Sequence, residues 1–196
     1  MRQRTKRLRR GNLPPEPTSL EEFGLPEEYR KTIGGDPFST HISMEDNGIL
    51  IFMTTENIRH LSRAKYWIMD GTFKTALIIF KQLYTIHAPV GGTNHKIAPL
   101  LYALMTAKSE ELYKRLFQKL NEMADQEDIE LKPEFVITDF EIAVINAIKS
   151  EFPGVQNKGC FFHLGQSVYR KIQSLQLASR YGTDEDFSIN FRQIPA

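Results

Sequence analysis

Tyr66-Trp67-Ile68-Met69-Asp70-Gly71-Thr72 is an aromatic and apolar run that closes on a carboxylate and a turn pair. Its residue types suit a strand, and Asp-Gly taken alone signals nothing more than a turn. A second run of the same kind, Phe135-Val136-Ile137-Thr138, also closes on an aspartate, Asp139. If the two strands lie side by side and parallel, their terminal carboxylates converge. The pairing therefore carries more than either motif.

Outward from these strands the pattern alternates. Ile49-Leu50-Ile51-Phe52-Met53-Thr54 follows the turn pair Asn47-Gly48 and reads as a strand. Thr55 to Lys65 reads as a short helix with Ile58, Leu61 and Ala64 on its apolar face and Thr54 or Thr55 as N-cap. Strands are expected at Tyr66 to Phe73, Ala76 to Pro89 and Lys96 to Thr106, the last two joined by the glycine-rich loop Val90 to Asn94, which makes an antiparallel meander. Ser109 caps an amphipathic helix whose inner stripe is Leu112, Tyr113, Leu116, Phe117, Leu120 and Met123. The strand Glu134 to Asp139 leads into a helix from Glu141 to about Phe152, with Ile142, Ile145, Ile148 and Phe152 inward and Pro153-Gly154 as its stop. Val155 to Phe162 reads as a fifth core strand, and Leu164, Val168, Ile172 and Leu175 mark a third helix. Trp67, Phe73, Tyr84 and Phe161 read as core, while Tyr181 to Ala196 has no strong pattern. The order β-β-β-α-β-α-β-α predicts an α/β protein with a mixed sheet flanked by helices, and excludes helical bundles and all-β sandwiches.

Composition sets the class. With 196 residues, 41% apolar and 25% charged, the chain suffices for one full α/β core. Its longest apolar stretch, Ala98 to Met105, is far too short to span a bilayer, and no signal-peptide pattern follows the basic start, so no membrane partner is expected. One cysteine and five histidines with no zinc-finger spacing fit a reducing compartment. The net charge of +1 hides an asymmetry: residues 1–10 carry six of the 25 basic side chains and no acid, leaving 19 against 24 acids elsewhere. Arg2, Arg4, Lys6, Arg7, Arg9 and Arg10 suit phosphate contacts or nuclear import, and equally a plain solvated terminus. Gly11 to Glu28, rich in Pro, Glu and Ser, reads as a linker.

Carboxylates at two strand ends suit a hard divalent cation such as Mg2+, which takes oxygen ligands and keeps part of its water. Two such ions would serve an in-line phosphoryl displacement of the nuclease kind. The rival phosphatase motif Asp-x-Asp-Gly-Thr fails because Ile68 stands where the nucleophilic aspartate belongs. Cys160-Phe161-Phe162-His163 is a further constellation at a strand-to-helix junction. It is open to three readings: half of a zinc site, a Cys–His nucleophile, or a buried thiol beside an imidazole that bonds the backbone.

Three blocks, Trp67 to Lys74, Phe135 to Glu141 and Gly159-Cys160-Phe161-Phe162-His163-Leu164-Gly165-Gln166, stand in an order and spacing that resemble the transposase domain of Mutator-like elements (MULE), a branch of the ribonuclease H-like superfamily. The resemblance covers about Ile49 to Phe191. It implies a ribonuclease H-like fold, with Asp70 and Asp139 as the first and second metal-binding acids of an Asp-Asp-Glu triad. It also implies Mg2+ or Mn2+ as cofactor, DNA strand cleavage and transfer at terminal inverted repeats, and no small-molecule substrate, while the basic start without a signal peptide points to the nucleus. Cys160 and His163 match the family's Cys/His motif. The third acid of the family follows a helical insertion, and Ala196 falls inside what resembles the start of that insertion. The expectation is thus a C-terminally incomplete core without efficient cleavage, or a domesticated module that binds DNA or protein. Glu141, two residues beyond Asp139, is not taken as the third acid. The implied organisation is a basic tail and linker (1–28), a pre-core strand and helix (29–65), the core (66–178) and the start of the insertion (179–196).

Overall fold

The structure, a computed structural model, describes residues 17–20, 23–42, 48–72, 78–91 and 96–192. The basic segment Arg2 to Arg10 lies outside the described residues, as do Phe73 and most of the loop after Val90. Seven strands form one mixed sheet: β1 (Ser39–Ile42), β2 (Ile49–Phe52), β3 (Tyr66–Thr72), β4 (Gln82–Val90), β5 (Lys96–Met105), β6 (Phe135–Thr138) and β7 (Gln156–Gly159), in the spatial order β1-β2-β5-β4-β3-β6-β7. The helices are α1 (Thr55–Arg63), α2 (Glu110–Asp125), α3 (Ile142–Glu151), α4 (Phe161–Ser174), α5 (Ala178–Thr183) and α6 (Glu185–Arg192). This bears out the α/β class, the meander and the ribonuclease H-like mixed sheet. Among the described residues no helix is long and apolar enough to cross a membrane.

The antiparallel half is β1-β2-β5-β4-β3, and β3, β6 and β7 run parallel. Two prolines sit in strands without breaking the ladder. Pro99 adjoins a bulge, because Ile86 pairs with Leu101 while His87 pairs with Pro99, so Leu100 is the extra residue on β5. Its carbonyl is taken up by the Asn57 Nδ2 donor of α1 at 2.7 Å. Helix α1 starts where Thr54 Oγ1 accepts the Asn57 N–H, and α2 where Ser109 Oγ accepts the Leu112 N–H, each side-chain oxygen satisfying an otherwise orphaned amide. Ile58 and Leu61 of α1, the inner stripe of α2, and Val144, Ala147 and Ile148 of α3 join Trp67, Met69, Ile86 and Ala103 of the sheet in one apolar core.

Several boundaries differ from the sequence reading. Strand β4 starts at Gln82, since Ile78 and Ile79 form a turn; apolarity alone does not separate a strand from the turn before it. Strand β7 ends at Gly159, and Phe161 and Phe162 open α4 instead of closing the strand. Phe161 is 64% exposed, against its reading as core. Ile142 is likewise exposed. Helix α3, IAVINAIKSE, is apolar around most of its circumference, so its sequence does not choose between the stripe through Ile142 and the one through Val144 and Ile148 that packs. Strand β1, which pairs with β2, and the short helices α5 and α6 carry no pattern strong enough to foresee.

Candidate functional site

Strands β3, β6 and β7 run in one direction, so their carboxyl ends share one edge of the sheet, where ligands commonly bind in α/β folds. Asp70, Asp139 and Cys160 all come to that edge. The β3–β6 register pairs Tyr66 with Phe135, Trp67 with Val136 and Ile68 with Ile137. Continued by two residues, it would set Asp70 opposite Asp139. Strand alternation would then give both side chains the face of Ile68 and Ile137, away from the Trp67 and Val136 core. Neighbouring strands lie about 4.8 Å apart.

The backbone under each carboxylate is pinned. Thr85 Oγ1 of β4 donates to the Asp70 carbonyl at 3.2 Å, and Asp70 itself is 42% exposed at the side chain. Thr138 Oγ1 donates to the Asp139 carbonyl at 2.9 Å, and Asp139 Oδ1 accepts the Glu141 N–H at 3.2 Å. This last bond is an Asx-type turn that shapes the entry into α3. The Cys160 N–H donates to the Thr138 carbonyl at 2.7 Å, tying the start of α4 to the end of β6.

His163, in the first turn of α4, places Nε2 3.6 Å from Asp70 Oδ1, while its Nδ1 is buried without a hydrogen-bond partner among the described residues. The imidazole therefore faces a carboxylate and does not bond the backbone. Cys160 is a half-buried free thiol. Among the described residues no three His, Cys, Asp or Glu side chains gather into a metal-holding group, which leaves Cys160 and His163 without the further ligands a structural zinc needs. Two half-exposed carboxylates on one face do fit a hard cation that keeps water in its shell.

Behind the edge lies a polar cluster that the sequence reading overlooked. Gln82, fully buried on β4, donates from Nε2 to Tyr113 Oη of α2 at 2.9 Å, and Tyr113 donates back to Gln82 Oε1 at 3.3 Å. Tyr84, buried beside Tyr113 with ring centroids 5.2 Å apart, has no hydrogen-bond partner for its hydroxyl among the described residues. Burial above all, then the charges of Tyr113, Asp139, Glu141 and Asp70, push the Tyr84 phenol well above its ordinary value, so it stays protonated. Glu141 lies beside the cluster, 3.8 Å from Lys108 Nζ. The signal in the sequence was a glutamine and a tyrosine inside otherwise apolar stripes.

Burial raises the Glu141 carboxyl above its ordinary range, and the Asp139 charge adds to this against the lowering effect of Lys108 and Tyr113. A folded-state pKa above the unfolded one means that Glu141 favours the fold at low pH and that this contribution is lost as pH rises through the raised value. Glu141→Gln should therefore melt at a higher temperature than the parent at neutral pH, with the difference vanishing near about pH 4, where the native carboxyl is protonated. Thermal melts at both pH values check this. A variant that melts lower at neutral pH would show that the Lys108 pairing outweighs burial.

No curated protein matches this chain. A family model, the MULE transposase domain, matches residues 66–167, just over half of the chain. The matched span runs from the first residue of β3 through the first half of α4 and so takes in Asp70, Asp139, Cys160 and His163 together. With a ribonuclease H-like sheet beneath that span, this chain belongs to the MULE transposase domain family.

Proposed function

We propose that this chain is a transposase-derived DNA-processing domain in which Asp70 and Asp139 together hold a divalent cation, Mg2+ or Mn2+, against a DNA phosphodiester. The supporting observation is the parallel register of β3 and β6, which pairs Ile68 with Ile137; the same register continued by two residues would bring Asp70 and Asp139 opposite one another. When bound, such an ion neutralises a phosphate oxygen and acidifies an attacking hydroxyl. The chain's own part is preorganisation. Thr85 and Thr138 fix the backbone under the two carboxylates, and the Asx turn at Asp139 fixes its side chain before any ligand arrives. His163 stands where it can pair with Asp70 when protonated. Strand cleavage and transfer and action at terminal inverted repeats are what membership of this family suggests for the wider reaction, and a nuclear setting is what the basic segment Arg2 to Arg10 suggests.

A second reading, a non-catalytic module that binds DNA or protein, is favoured by one observation: among the described residues no three His, Cys, Asp or Glu side chains gather into a metal-holding group. Titration of the 196-residue chain with Mn2+, followed by electron paramagnetic resonance, tests the shared site. The expected result is saturable binding that Mg2+ displaces and that Asp70→Asn removes. Undiminished Mn2+ binding in Asp70→Asn would sink the metal reading. A plasmid-nicking assay in the same buffer divides the two functions, since metal-dependent cleavage lost in Asp70→Asn marks the nuclease, and ion binding without cleavage marks the module.

A further inference from the structure

Three phenylalanines beside the carboxylate edge face solvent. Phe161 and Phe162 are 64% and 66% exposed, and Phe140, directly after Asp139, is 49% exposed. Burying such rings is ordinarily favourable, so a group of exposed rings marks a contact surface. Their placement follows from the fold. The Phe140 ring lies across the Gly159 backbone, where a Cβ would stand 2.6 Å from Phe140 Cε1, and the Phe162 ring lies 5.7 Å from the His163 ring, whose Nε2 is 3.6 Å from Asp70. Along the chain on either side of Phe161 and Phe162 the charge has one sign, while Asp139 and Glu141 flank Phe140. From Phe152 to Thr183 there is no Asp or Glu, although the chain holds 24, while Lys158, Arg170 and Lys171 fall within this span. An acid-free, cationic segment carrying exposed rings suits a polyanion with unpaired aromatic bases, because stacking on a ring is tolerant of base identity and the cations serve the phosphates.

We propose that Phe161 and Phe162, flanked by Phe140, stack unpaired bases of a frayed or branched DNA end and hold its backbone at the Asp70–Asp139 edge. The proposal deepens the DNA-processing reading above and specifies the form of DNA. It also assigns recognition to the start of α4, independently of the basic residues 1–10.

The test uses the full chain, in EDTA, with a fluorescein-labelled duplex ending in a single-stranded flap and the same duplex blunt-ended. Phe161→Ala/Phe162→Ala should bind the flapped DNA at least about tenfold more weakly, the loss of one or more stacked bases, while affinity for blunt duplex changes by less than about twofold. Both rings are exposed, so melting temperature should hold. Phe162→Trp should bind like the parent, and its emission should be quenched by the flap; the native Trp67 is fully buried and lies apart from this surface. Equal affinity of parent and double variant for flapped DNA, an equal loss on both DNA forms, or no binding of flapped DNA by the parent would each overturn the proposal. So would loss of a self-associated state on sedimentation with DNA binding unchanged, since the rings would then serve a second copy. Because the assay contains no metal, its failure leaves the Mn2+ titration standing, and failure of that titration leaves the stacking result standing.

Discussion

Trp67→Ala should destabilise this domain by about 3–5 kcal/mol, the range for truncating a large buried aromatic side chain. Trp67 has no exposed surface, its ring meets Phe152 edge-on with centroids 5.4 Å apart, and Phe152 in turn meets Phe117 of α2. Its Nε1–H donates to the Leu61 carbonyl at 3.0 Å, so one side chain links β3 to α1 and to the packing of α2 on α3. Truncation does not orphan that carbonyl, because the Ala64 N–H also donates to it at 3.3 Å. The loss is therefore mainly cavity and packing, and the melting midpoint should fall by roughly 10 °C for a chain of this size. Calorimetric or circular-dichroism melts measure it. A loss below about 1 kcal/mol would mean that the three helices close over the gap far better than buried sites usually allow.

Replacing Asp139 should have the other large effect, and two substitutions at this position separate its two roles. Asp139→Asn keeps an Oδ1 that accepts the Glu141 N–H, so the turn into α3 survives while the negative charge disappears. Mn2+ affinity should fall by more than about tenfold, at least the loss met when an outer partner of a metal ligand is removed. Asp139→Ala loses both the charge and the turn bond. It should match Asp139→Asn in ion binding and fall below it in melting temperature by roughly the worth of one side-chain cap, about 1 kcal/mol. Mn2+ titration paired with thermal melts reads both quantities. If Asp139→Asn binds Mn2+ as the parent does, Asp139 takes no part in holding the ion and its position serves the loop alone.

The division between sequence and fold can be seen at particular residues. Periodicity located α2 almost residue for residue, because Leu112, Leu116 and Leu120 repeat on one face and Ser109 is an N-cap. It failed at α3, where apolar residues surround the helix and only contact with α2 and the sheet selects Val144, Ala147 and Ile148. It failed again at Phe161 and Phe162. The two adjacent phenylalanines read as the end of a strand, and Phe161 as core, and nothing local tells that the backbone turns into a helix at this point, after the Cys160 N–H bonds to Thr138.

The candidate site divides in the same way. Asp70 and Asp139 stand out in the sequence because each follows a four-residue strand-forming run, and the three-block resemblance pointed to the family. Their alignment was not legible. Register is a property of two strands 69 residues apart, and a slip of one residue would have turned the carboxylates to opposite faces. The contact of His163 with Asp70, the buried Gln82–Tyr113 pair and the raised Glu141 carboxyl likewise depend on distance in space and on exclusion of water. The sequence by itself thus determined most of the core strands and helices and which acids stand near the strand ends, since those follow from local propensity and period. Only the tertiary structure decided which side chains meet, because desolvation and Coulomb interaction act between neighbours in space whatever their separation along the chain.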